Sequence, residues 1–148
     1  MSTITQDLHP IVVHFPIALL VVSVLLSFWG LRKTGYQETT WVLLVIGALA
    51  TIPATITGLI AHFPYEETVL HEVIETHQLT GFFATFYFLG LLAWRRRARN
   101  HNQDIDGKPA YLVAGAIGVV ILVFLGMTGG DLVYEYGINV RGINPLLQ

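Results

Sequence analysis

An all-α integral membrane protein, a bundle of four spanning helices, is the fold this sequence predicts, and three observations predict it. Of 148 residues, 53% are hydrophobic and only 12% charged, far from the balance of a soluble globular domain. Four stretches, Ile11–Leu31, Thr39–Tyr65, His77–Trp94 and Pro109–Gly130, contain no Asp, Glu, Lys or Arg; a spanning helix needs about 20 residues for a hydrocarbon core of about 30 Å. Nearly all Lys and Arg fall in two connecting segments: Arg32 and Lys33, then Arg95, Arg96, Arg97, Arg99 and Lys108.

Helix one is expected over about 10–31, with Pro10 in its first turn, where a missing N–H costs nothing. Pro16 cannot bond the carbonyl of Val12 and should loosen the helix near His14. Met1–Pro10 holds no Lys or Arg and no short cleavage site follows, so the stretch reads as a mature helix rather than a signal peptide. Helix two is expected over about 40–62, with Ala50, Ala54 and Gly58 forming a small-residue stripe for close packing. Helix three is placed over about 66–94, beginning in the acidic Glu66–Thr76 segment behind Pro64 and ending at the arginine run, read as a membrane stop. Helix four covers about 109–129, with Ala114 and Gly118 as a shorter stripe, and stops at Gly129-Gly130. The tail, 130–148, brings Tyr134 and Tyr136, residues suited to a membrane interface. The whole chain reads as one transmembrane domain.

Cytoplasmic loops carry the excess of Lys and Arg. The expected topology therefore puts both termini and the 63–76 connection outside, facing the periplasm of an inner membrane. His9, His14, His62, His71 and His77 then share the outer face, and His101 alone lies inside among Asn100, Asn102 and Gln103. Histidine played no part in assigning the topology, so its one-sidedness is independent information.

No cysteine is present, which removes disulfides, thiolate metal sites and covalent c-type haem attachment. The net charge of −2 offers nothing to nucleic acid. His71-Glu72 and His77 lack the spacing of H-E-x-x-H, and no Glu-x-x-His pair marks a di-iron bundle. What remains is imidazole. At 1.5 Å per residue, His14 and His77 stand at similar depths, with His9 and His71 a tier roughly 7–9 Å further out. Two facing imidazoles are what a low-spin b-type haem takes as axial ligands. Ala18 and Gly81, each four residues inward, leave clearance on the same helix faces, and Phe15, Phe82, Phe83, Phe86 and Tyr87 are expected to wall the pocket. A twofold pattern also runs through the chain, with His14 preceding Thr57-Gly58 by 43 residues and His77 preceding Thr128-Gly129 by 51.

The opening LHPIVVHFPIALL, the outer His71 and His77, and the ending TGGDLVYEYG together resemble a family of small bacterial membrane proteins catalogued as domain of unknown function 2231. The resemblance covers nearly the whole chain. It implies four membrane helices, a recurrent histidine set matching His9, His14, His71 and His77, and neighbouring genes for redox proteins; it implies no established activity.

The expectation is a small membrane haem b protein with His14 and His77 as ligands, and with His9 and His71 bonding ligands or propionates or serving a second centre. It would act in electron transfer, as a carrier or as a subunit of a respiratory or photosynthetic complex. Its partners would be the lipid bilayer, a redox protein and a second copy of the chain. The competing readings are a Zn or Cu site built from His9, His62, His71 and outer Glu residues, and a structural subunit with no cofactor.

Overall fold

The computed structural model describes residues 3–30, 35–140 and 142–143, with side chains from Leu8 onward. Helices α1 (Thr3–Gly30), α2 (Gln37–His62), α3 (His71–Asn100) and α4 (Pro109–Tyr134) form the bundle, with a single 3-10 turn, Phe63–Tyr65, between α2 and α3. Each helix packs on the next and α4 closes on α1. Consequently α1 and α3 face each other diagonally across the interior, as do α2 and α4. No strand occurs among the described residues.

Leu8–Gly30, Gln37–Tyr65 and Pro109–Tyr134 are each long and apolar enough to cross a membrane. In length α3 matches them, but Thr76, His77, Gln78, Thr80 and the terminal arginines dilute its hydropathy. The outer surface is that of a lipid-facing bundle: Ile11, Phe15, Phe86, Val120 and Met127 are all exposed, an apolar belt that no water-soluble monomer of this size presents. Inside, Leu20, Leu44, Ala48, Phe88, Leu91 and Leu122 form the main core. A second cluster, Tyr65, Ile74, Leu132 and Ile138, closes the histidine end.

Several boundaries differ from the sequence expectation, each for a local reason. Helix α1 begins at Thr3, so Pro10 lies inside it together with Pro16. The acidic segment after Pro64 forms the 3-10 turn and a further turn, and α3 starts only at His71. Helix α4 runs through Gly129-Gly130 to Tyr134, with Gly129 packed closely on His77 rather than ending the helix; the chain turns away at Gly137, whose φ of +64° suits glycine. Leu31, Arg32, Lys33 and 144–148 lie outside the described residues.

The arginine run does more than stop a helix. Arg95 is fully buried, and its guanidinium donates to Asp104 from Nε at 3.0 Å and to Thr40 Oγ1 and the Gln37 carbonyl at 3.1 and 2.9 Å. Asp106 lies 3.4 Å away and accepts from Thr40 Oγ1 at 2.7 Å. The network ties the end of α3 to the start of α2 and to the 104–106 loop, with Arg99 adding contacts to Asp104 and Glu38. Burial alone would raise the Asp104 pKa; hydrogen bonds from Arg95, the Asp106 N–H and Arg99, with the Arg95 charge, outweigh it and hold this carboxyl below its ordinary value. Arg96 and Arg97 remain exposed.

Candidate functional site

The interior of the histidine end is hollow. A cavity of about 490 Å³, within the range of ligand pockets, reaches from Thr51 and Leu122 up to Tyr65 and Ile138. His9 of α1 and His77 of α3 line it from diagonal helices, with ring centres 6.4 Å apart and planes at 78°.

The two rings are held alike. His9 Nδ1 lies 3.2 Å from Thr57 Oγ1 and 3.1 Å from the Ala54 carbonyl; His77 Nδ1 lies 2.9 Å from Thr128 Oγ1. Each threonine hydroxyl already donates its proton three residues back, Thr57 to Ala54 at 2.9 Å and Thr128 to Leu125 at 3.1 Å. A hydroxyl so committed can only accept from the imidazole. Both rings therefore carry the proton on Nδ1, and in the neutral ring Nε2 keeps its lone pair. Neither Nε2 has a hydrogen-bond partner among the described residues.

Glycine completes each unit. A Cβ on Gly58 would stand 3.0 Å from His9 Cε1, and a Cβ on Gly129 would stand 3.0 Å from His77 Cε1. The same relation recurs eleven residues along every helix: Leu20 follows His9 and Phe88 follows His77, while Gly47 and Gly118 precede Gly58 and Gly129. There a Cβ on Gly47 would meet Leu20 Cγ at 2.8 Å, and one on Gly118 would meet Phe88 Cζ at 2.7 Å. Two helix pairs, α1 with α2 and α3 with α4, thus repeat one arrangement, and the histidine of each is backed by a threonine of the pair's second helix.

The structure distributes the expected site residues unevenly. The ring facing His77 is His9. His14 lies on the exposed side of α1, at the cavity's border, with its Nδ1 turned back to the Pro10 carbonyl; Ala18 is exposed on the outer surface. Gly81 does line the cavity, and a Cβ there would meet only Leu125 at 4.0 Å. His62 and His71 stack on each other, ring centres 5.3 Å apart. His101 is exposed at the arginine end. The expected aromatic walls are absent: Phe15, Phe83 and Phe86 point outward, and Tyr87 donates to the Ala114 carbonyl at 2.6 Å. The aromatic lining comes instead from Tyr65 and Tyr134 at the histidine end, and small, aliphatic and threonine side chains line much of the rest. Among the described residues no group of three or more His, Cys, Asp or Glu side chains is placed to hold a metal ion.

Residues 5–142 match the family described as "Predicted membrane protein (DUF2231)". The chain belongs to that family. No curated protein and no solved structure matches it. The histidine-rich opening of this chain supplies one half of a facing imidazole pair, His9, and its counterpart, His77, comes from the third helix.

The signal for this pairing was present in the sequence as Gly-x9-Thr-Gly, at Gly47…Thr57-Gly58 and again at Gly118…Thr128-Gly129. Matched with the eleven-residue offset from histidine to a large core residue, it selects His9, not His14, as the counterpart of His77.

Proposed function

We propose that this protein is a membrane b-type haem protein, with His9 and His77 as the residues that would hold the haem iron through Nε2. The observation that carries the reading is the facing pair itself. Two imidazoles on one metal, each bonded at about 2 Å, put ring centres on the order of 6 Å apart, and the observed separation is 6.4 Å. A ligating histidine characteristically donates its other N–H to a fixed acceptor; Thr57 and Thr128 are such acceptors. Gly58, Gly81 and Gly129 keep the cavity clear of side chains, as a broad planar group requires. A closed zinc site takes four ligands and a catalytic one three, more than this pair offers.

Bound haem supplies one-electron transfer, which makes the protein a carrier or a subunit of an electron-transfer complex. The protein's own contribution is to fix both rings in one tautomer, to exclude water through the Tyr65, Ile74, Leu132 and Ile138 cluster, and to set the site at one end of the bundle. By the positive-inside rule that end would face the outside of an inner membrane, where a redox partner would exchange electrons.

The test is a visible spectrum of protein expressed with ample haem. A Soret band with a six-coordinate low-spin signature is expected, lost in His9→Ala and in His77→Ala and kept in His14→Ala and His101→Ala. Protein without a Soret band refutes the cofactor; a six-coordinate spectrum surviving in His9→Ala refutes the ligand pair.

A further inference from the structure

A second imidazole pair stands beside the first, and its chemistry is distinct. His62, at the end of α2, is buried at 6% exposure; it stacks at 25° on His71, the first residue of α3. His62 Nδ1 bonds Gln78 Oε1. Because an amide oxygen only accepts, Nδ1 holds the proton. His71 Nε2 lies 3.8 Å from the exposed Glu75 carboxylate, an electrostatic contact that favours the proton on Nε2 of the neutral ring without a hydrogen bond. The remaining nitrogens, His62 Nε2 and His71 Nδ1, are both buried and both without a partner. Two buried nitrogens without a partner, on rings whose centres stand 5.3 Å apart, are costly unless something occupies them.

We infer that His62 Nε2 and His71 Nδ1 bind a divalent transition-metal ion, Cu²⁺ most tightly. Two imidazoles in adjacent positions on one ion, with bonds of about 2 Å and an angle of about 90–110° between them, place ring centres about 4.5–5 Å apart; the observed value is 5.3 Å. Neutral imidazole suits Cu and Zn, and Cu²⁺ heads the affinity order for nitrogen ligands. Gln78 and Glu75 are outer partners of the kind that orient ligating histidines. Two protein ligands leave coordination positions open, so the ion is exchangeable rather than structural. His62 also lines the cavity that His9 and His77 share, which puts the ion near the proposed haem but on separate ligands.

The test is equilibrium dialysis of the intact protein in detergent against Cu²⁺, with electron paramagnetic resonance of the bound ion. His62→Ala and His71→Ala are each expected to lower the copper count by one equivalent, and the double substitution to lower it no further. Nitrogen hyperfine splitting from imidazole is expected in the parent and reduced in each variant. Glu75→Gln, at an exposed position that does not threaten folding, should weaken this copper roughly 10-fold. The one-equivalent loss is read in haem-loaded and in haem-free protein and is expected in both, so it stands or falls apart from the haem assignment. An intact protein that binds no copper, or a count that neither histidine substitution lowers, overturns the inference.

Discussion

The two histidine units are alike in plan but not in redundancy, and Thr128→Val against Thr57→Val exposes the difference. Valine keeps the shape of threonine and removes the acceptor. His77 Nδ1 has one partner, Thr128 Oγ1 at 2.9 Å, so Thr128→Val leaves an imidazole N–H unpaired inside the bundle. An unsatisfied buried donor costs about 1–3 kcal/mol, and at about 1.4 kcal/mol per factor of ten that corresponds to a loss of roughly 5- to 150-fold in affinity for the proposed haem. The effect usually seen for outer partners of ligating histidines, about 10- to 100-fold, falls inside this interval.

His9 Nδ1, in contrast, also lies 3.1 Å from the Ala54 carbonyl. Thr57→Val leaves that acceptor in place, and the expected loss is the low end for a neutral hydrogen bond, about 0.5 kcal/mol, or a factor of two to three. Haem titration of the apoprotein followed at the Soret maximum measures both, with thermal unfolding of the apoprotein as the control for folding. Equal losses in the two variants, or Thr128→Val within twofold of the parent, would refute the account of how the rings are held.

The packing and the loop give further expectations. Gly118→Ala would drive its Cβ to 2.7 Å from Phe88 Cζ and 3.1 Å from Tyr87 Cε1, aromatic rings with little room to yield, and should cost about 1–3 kcal/mol in detergent thermal unfolding; Gly90→Ala, with nothing within 4 Å, should cost nothing. The lowered Asp104 pKa means that this carboxylate stabilises the fold at every pH above its unfolded value and that the contribution disappears as pH falls through its folded value. Asp104→Asn should therefore lower stability at neutral pH and flatten the decline below about pH 4, near the unfolded value, and a variant that keeps the parent's steep acid limb would contradict the assignment. Arg95→Gln leaves Asp104 and Asp106 without their buried counter-charge and should cost about 3–5 kcal/mol by the same unfolding measurement.

The bundle was legible because membrane physics writes itself in composition: charge-free stretches and clustered arginines mark helices and their ends without reference to any contact. The site was legible only at the level of residue type. Imidazoles gathered at one end, together with Gly81 and the Thr-Gly pairs, pointed to facing histidines, but helical depth did not say which ones face. Depth favoured His14, because α1 was taken to start at Pro10; the helix begins a full two turns earlier, which carries His9 into the bundle and leaves His14 on its outer side. The rotation of a helix about its axis is decided by packing, and in α1 the packing is set by Leu20 seated over Gly47. Counting eleven residues back from Leu20 along the same face reaches His9, as counting back from Phe88 reaches His77. The residue that decides which histidine faces His77 is thus the core glycine on the neighbouring helix. Enlarging Gly47 would be felt at His9 about three turns away, through the rotation of α1, as well as in the core itself.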